Sequence, residues 1–258
     1  MRIFDTHAHY DSEQFNEDRE QLLQEILAGG SCITNVGATF EGAVWSLQTA
    51  ERHDGMYAAC GVHPDEVGEL DEEKMARLKA MCRQEKCVAV GEIGLDYHWM
   101  VQPKQVQQQW FIRQLALAKE ADLPVNIHSR DAAQDTFDIM KEHHAGTTGG
   151  IIHCYSGSVE MAREYVKLCY YIGIGGVVTF KNGRVLKEVV KEVPLERLVT
   201  ETDAPYLTPV PFRGKRNCSM YIPYVVKEIA FLKGRDEEET AQILFENAQK
   251  VYRLGQKG

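Results

Sequence analysis

Eight short apolar segments, starting roughly every 20–35 residues and separated by amphipathic stretches, constrain this chain more than any other feature. They run Arg2–His7, Cys32–Val36, Met56–Val62, Val88–Gly94, Pro124–Ser129, Gly150–Cys154, Tyr171–Val177 and Arg197–Asp203. Several are unbroken Val/Ile/Cys/Gly runs, the pattern of parallel strands covered on both faces. Between them, Leu22, Leu23, Ile26 and Leu27 recur at helical spacing, as do Phe111, Leu115 and Ala118, and later Leu186, Val189, Val190 and Val193. Asp71 and Asp236 stand before acidic first turns as helix N-caps. Two more helical stretches, Pro223–Lys233 and Glu237–Arg253, follow the last strand. The expectation is a (β/α)8 barrel, one domain over residues 1–258, with one or two extra C-terminal helices. A doubly wound open sheet is the alternative, weakened by the lack of a GxGxxG after the first strand.

Composition narrows the function. A chain of 258 residues buries enough apolar surface to fold without a disulfide or a metal. Its formal net charge of -9 disfavours broad attraction to phosphate backbones, although local cations can still reverse the sign of a cleft. The seven cysteines form no CxxC and lie mostly in apolar contexts, as reduced core residues of a cytoplasmic protein do. MRIFDTHAH lacks a basic region followed by an apolar one, so no signal peptide is expected, and no apolar run reaches the length of a membrane span. The expected state is a monomer without membrane contact.

Polar residues fall at one end of the expected strands, where barrels carry their chemistry. His7 and His9 are two apart on an extended chain, so both side chains face the same way and can chelate a cation. Alone, such a pair is weak evidence, the alternative being two surface or capping histidines. Glu92 lies in the apolar, glycine-flanked run Val88–Gly94, where an unpaired carboxylate would cost several kcal/mol or protonate. A cation resolves this, as would a buried Arg or Lys. His128 and His153 end two more apolar runs; singly, each reads as a hydrogen-bonded core histidine, but together with Glu92 they read as ligands. Asp203 and Glu201 share a face, and Asp203 is nearer the mouth, so Asp203 is the ligand and Glu201 a supporting residue. Imidazole with carboxylate suits Zn²⁺, Mn²⁺, Ni²⁺ or Fe²⁺ better than an all-oxygen Mg²⁺ or Ca²⁺ cage.

The motifs Phe4–His9 (FDTHAH), Gly61–Pro64 (GVHP), Gly91–Asp96 (GEIGLD), Pro124–Arg130 (PVNIHSR), His153–Gly157 (HCYSG), Val177–Asn182 (VVTFKN), Glu201–Leu207 (ETDAPYL) and Arg213–Asn217 (RGKRN) closely resemble those of the TatD family of metal-dependent deoxyribonucleases, in the family's order along nearly the whole chain. The resemblance implies that His7, His9, Glu92 and Asp203 hold one divalent metal and that Glu92, His128 and His153 hold a second, two cations in all (Zn, Mn, Mg, Ni or Fe). It also implies a DNA substrate held at the barrel mouth. Thr200 and the segment Asn247–Tyr252 depart slightly from the family's pattern, and neither departure replaces a residue of the implied metal site.

The expected mechanism has two cations sharing a water and lowering its pKa, Glu92 bridging them, and Asp203 taking the proton. His63, as a protonated neighbour, would stabilise the leaving oxygen, or would only cap the turn before Pro64. Arg130, Lys181, Arg213, Lys215 and Arg216 are candidate phosphate contacts, with solvated loops as the alternative. Tyr155, Phe180, Tyr206 and Phe212 are candidate base-stacking residues or rim packing. The competing functions are a small-molecule amidase, lactonase or phosphotriesterase on the same barrel and a non-catalytic binding protein. Glu92 stands where those hydrolases often carry a bridging lysine, and the intact ligand set argues against a protein without chemistry.

Overall fold

The computed structural model describes residues 1–143 and 149–255. Strand and helix alternate along it: β1 (Phe4–Ala8), α1 (Arg19–Leu27), β2 (Cys32–Val36), α2 (Phe40–Ala50), β3 (Met56–Ala59), α3 (Glu72–Met81), β4 (Cys87–Asp96) and α4 (Lys104–Ala121). Then come β5 (Val125–Arg130), α5 (Ala133–His143), β6 (Gly150–Ile152), α6 (Val159–Lys167), β7 (Tyr170–Ile174), α7 (Arg184–Glu192), β8 (Leu198–Thr200), α8 (Ile222–Lys233) and α9 (Glu237–Val251). Local chemistry sets the helix starts. Asp71 accepts from Lys74 N at 2.8 Å and Asp236 from Glu238 N and Glu239 N at 2.9 Å, the N-caps expected of them. Gly234 ends α8 in the left-handed conformation that lacks a Cβ penalty.

The strands pair in parallel in the order β1 to β8, without the strand reversal of a doubly wound sheet. Past the last regular pair, Ala8 bridges Ala204, His9 N donates to Ala204 O at 2.8 Å and Asp203 N donates to His7 O at 2.9 Å. These contacts bring the first and eighth strands together, and the fold is a nearly closed (β/α)8 barrel in one domain. Six strands contribute Phe4, Val36, Ala59, Val88, Ile151 and Val199 to a cluster with Phe245, Ala248 and Val251 of α9 and with Tyr252 just after it, and Asn247 of α9 donates to Leu195 O and Leu198 O where β8 begins. Side chains from strands all round a barrel meet only inside it, so α9 plugs the end opposite the strand C-termini. The larger apolar cluster fills the space between the strands and the surrounding helices.

Four strands are shorter at their C-terminal ends than the apolar runs suggest, among them β6, which stops at Ile152, not Cys154. β3 stops at Ala59, not Val62; β7 at Ile174, not Val177; and β8 at Thr200, not Asp203. After β3 the backbone N and O of Val62 bond the Gln114 side chain of α4, after β7 the chain tightens into a 3-10 turn, Gly176–Thr179, and after β8 Thr202 N donates to Asp5 Oδ1. The cysteines are free thiols, and most are buried, but Cys169 is exposed.

Candidate metal centre

Two irregularities in the ladder shape the site. The β1–β2 register shifts between Asp5 and Ala8, and the β4–β5 register shifts between Val90 and Ile93, so His7 and Glu92 both sit where regular pairing breaks. Such breaks re-aim side chains beside active sites. The Gly91–Glu92 peptide is cis. Gly94 lets β4 lie close to β5, because a Cβ there would fall 1.9 Å from His128 O. Gly173 does the same for Glu201, whose Oε2 would lie 2.4 Å from any Cβ at that position.

Glu92 is buried at the centre of the cluster, and its two oxygens face different groups. Oε2 lies 3.5 Å from His7 Nε2 and 3.7 Å from His9 Nε2. Oε1 lies 2.8 Å from His128 Nδ1, 3.1 Å from His153 Nε2 and 3.9 Å from His63 Nε2. His7 Nε2 and His9 Nε2 are 3.1 Å apart, and His9 Nε2 is 3.4 Å from Asp203 Oδ1. The rings of His7 and His153 stack with centroids 3.7 Å apart. The fold therefore gathers His7, Glu92 and His128 from β1, β4 and β5, and His9, His153 and Asp203 from the chain just past β1, β6 and β8.

The donors fit divalent cations. Nitrogens each about 2.0–2.1 Å from a shared ion lie roughly 3 Å apart, the separation of the His7 and His9 Nε2 atoms. His7, His9 and Glu92 make one compact group of potential ligands, His7, His153 and Asp203 a second, and His63, Glu92 and His128 a third. His9 Nδ1 is 2.8 Å from Val36 O, the outer-shell bond that orients a ligating imidazole. Buried deepest are His7, His153 and Glu92; His9, His128, His63 and Asp203 remain partly open towards solvent.

Electrostatics favour cation uptake. Burial works against the charge on Glu92, but His153, His7, His63 and His128 hold its carboxyl well below the usual carboxylate range. Asp203 is likewise lowered against burial, chiefly by its hydrogen bond with His9. Burial also opposes charge on His9 and His128, yet their carboxylate neighbours, Asp203 and Glu92 for one and Asp96 and Glu92 for the other, raise them to about 10 and about 9. Burial, with the charge of His153, lowers His7 to about 3. The carboxylates that draw protons onto His9 and His128 supply the same attraction to a metal ion, which would displace them.

Several supporting residues do not stand out in the sequence. Asp96 Oδ2 lies 3.1 Å from His128 Nε2, so two carboxylates of β4 bracket that ring. The signal was present: Asp96 follows Glu92 by four residues, an even spacing on a strand. Asp65 and Asp96 also group with His63. Asp5 accepts from Thr202 Oγ1 at 2.7 Å and Ser219 Oγ at 2.6 Å, tying β1 to the chain after β8. Burial raises Asp5 to about 6 in spite of those bonds. Glu201, pushed up by burial to about 7, accepts from Cys154 N and approaches His153 Nδ1 at 3.8 Å, a supporting place.

The remaining candidates separate. His63 Nδ1 accepts from Asp65 N at 3.2 Å, as a turn cap would, while its other nitrogen faces Glu92 and its ring stands edge-on to His128 at 4.3 Å. Arg130, Lys181, Arg213 and Lys215 are exposed on loops or strand ends around the mouth. Arg216 is instead committed to Asp18, with Nη1 2.9 Å from Oδ1 and Nη2 2.5 Å from Oδ2, and Nη1 also donates to Gln14 O at 2.6 Å. Tyr155 and Phe180 are buried, and Phe212 stacks on Tyr221 at 4.6 Å. Of the four aromatic candidates, Tyr206 is the exposed one.

A family model described as TatD related DNase matches residues 4–253. The chain is similar to an uncharacterized metal-dependent hydrolase, YabD of Bacillus subtilis (strain 168), with 47% identity over 98% of this chain and 99% of that one. It is 33% identical to a 3'-5' ssDNA/RNA exonuclease, TatD of a Rahnella species (strain Y9602), over 98% of each. The crystal structure of YJJV, a TatD homologue from Escherichia coli K12, superposes with a TM-score of 0.90 at 33% identity, covering 98% of both chains. Among the described residues, no helix is long and apolar enough to cross a membrane.

Proposed function

The chain belongs to the TatD-related DNase family of metal-dependent hydrolases, and from that premise we propose that it cleaves phosphodiester bonds in single-stranded DNA or at exposed DNA ends. The observation that carries the reading is the division of Glu92, one oxygen towards His7 and His9 and the other towards His128 and His153. Such a carboxylate suits two cations, one held with His7, His9 and Asp203 and the other with His128 and His153. When bound, divalent cations bring the pKa of water towards neutrality and polarise a phosphoryl oxygen.

The protein's own groups do the rest. Asp203, ionised and partly open to solvent, orients the attacking water and accepts its proton. His63 is proposed to serve the leaving oxygen through its Nε2, since its Nδ1 accepts from Asp65 N. Burial pulls His63 down to about 4, which favours a hydrogen-bonding role for its ring. Arg130, Lys181 and Arg213 offer exposed cations for the substrate's phosphates. Arg216 is left out of that role because its fork is occupied by Asp18.

The test presents the purified protein with single-stranded DNA, duplex DNA, RNA and a panel of esters and lactones. Each is run with Mg²⁺, Mn²⁺ or Zn²⁺ or with a chelator, beside Glu92→Ala. Metal-dependent loss of single-stranded DNA that disappears in the chelator and in the variant is expected. Turnover confined to the small esters or lactones would sink the proposal.

A further inference from the structure

Trp99 stands 62% exposed in the loop after β4, followed by the exposed Met100 and Val101. An indole left in water at the rim of a polar mouth calls for a reason. Its loop is tied to the candidate centre through one carboxylate. Asp96 Oδ1 accepts from His98 N at 2.8 Å and from Trp99 N at 3.0 Å, while Asp96 Oδ2 lies 3.1 Å from His128 Nε2.

The neighbouring charges suit a polyanion in part. The Arg130 guanidinium, two residues beyond His128, lies 5.4 Å from the Trp99 ring centroid. Lys104 Nζ sits 4.0 Å over the Tyr97 ring in the same loop. The acidic residues here are engaged: Asp131 Oδ2 lies 2.9 Å from His98 Nδ1, and Asp135 accepts from Tyr97 Oη at 2.8 Å. The contrast with Phe180 is informative. That ring is 8% exposed, with Arg213 3.7 Å from its centroid, and so has little face to offer.

We infer that Trp99, with Arg130 beside it, is a stacking platform for an unpaired base of the substrate strand, the adjoining phosphate meeting Arg130. This rests on the phosphodiesterase reading and adds to it a reason for preferring single strands, since a base within a duplex has both faces covered by its neighbours. Stacking on an aromatic ring is tolerant of sequence, so the platform favours unpaired strands without selecting a base.

Steady-state cleavage of an oligothymidylate is compared with cleavage of an equally long oligomer built from abasic sites, which keeps the phosphates and lacks the bases. Trp99→Ala should raise KM for the oligothymidylate by about tenfold or more and leave kcat and the melting temperature unchanged. Trp99→Phe should recover most of the loss, and KM for the abasic oligomer should not move. An unchanged KM on oligothymidylate, or an equal rise on both oligomers, would overturn the inference. So would a change in oligomeric mass on Trp99→Ala with KM unchanged, which would assign the indole to a contact between copies. Failure of the wild-type protein to bind or cleave any oligomer would bring down the phosphodiesterase reading, and this one with it.

Discussion

The two ends of this barrel are built from the same strands and carry different polar groups, although the plug too buries one that is unpaired among the described residues, Asn247 Oδ1 of α9. At the plugged end, Tyr252 Oη donates to Thr6 O at 2.8 Å, and Asn126 Nδ2 donates to the same carbonyl at 3.2 Å, beneath a layer of Phe4, Val88, Val199 and Phe245. At the mouth, imidazoles and carboxylates crowd together, and the buried Nδ1 atoms of His7 and His153 have no hydrogen-bond partner among the described residues. Leaving buried polar atoms unpaired is costly, and one such group costs about 1–3 kcal/mol. The difference shows a division of labour. The plug carries cohesion, and the mouth concentrates donors that suit a cation, the Nε2 atoms of His7, His9 and His153 around Glu92.

Substitutions at each end can break that division. Asp203→Asn at the mouth should reduce kcat on the order of 10²–10⁴-fold, with little change in denaturation midpoint. An unfolded variant, or full activity, would contradict it. Phe245→Ala in the plug should cost about 3–5 kcal/mol in a denaturant titration while activity per folded molecule is kept. If activity per folded molecule also collapsed, the ends would not be separable. Tyr252→Phe removes a single hydroxyl donor in the same layer and should cost about 0.5–1.5 kcal/mol by the same titration.

The smallest effect belongs to the outer surface. Arg216 holds Asp18 below the usual aspartate range, and both side chains are substantially open to water. Solvent screening limits that pair to under about 1 kcal/mol. Because the folded-state pKa is depressed, its stabilisation is present above the ordinary aspartate pKa and is lost as pH falls through the lowered value. Asp18→Asn should therefore lower the melting temperature slightly at neutral pH and not at all in strong acid. An unequal result on nucleic-acid cleavage, with Asp18→Asn impairing it strongly, would return Arg216 to the substrate.

Much of the barrel was legible because its signals are local. Apolar runs of strand length, helical stripes such as Leu186, Val189 and Val190, and the caps at Asp71 and Asp236 each depend on neighbours a few residues away. Strand ends were less legible. Gly61, Val62 and Val177 are as apolar as ladder residues, but Val62 N and O bond the Gln114 amide of α4 instead of a strand, and Val177 lies in the 3-10 turn after β7. The charged rim was legible only as composition. Arg213 and Arg216 look alike in Arg213–Asn217, and only the approach of Asp18 from the start of α1 tells them apart.

The sequence by itself determined the alternation of strand and helix and the types of donor at each strand end, because strand parity and burial preference act over a few residues. Tertiary structure decided which oxygen of Glu92 meets which histidine, that Asp96 joins His128, that His63 packs against Glu92 and His128, and that Trp99 remains uncovered. Those outcomes depend on distances and desolvation between residues far apart in the chain, which exist only once the barrel has closed.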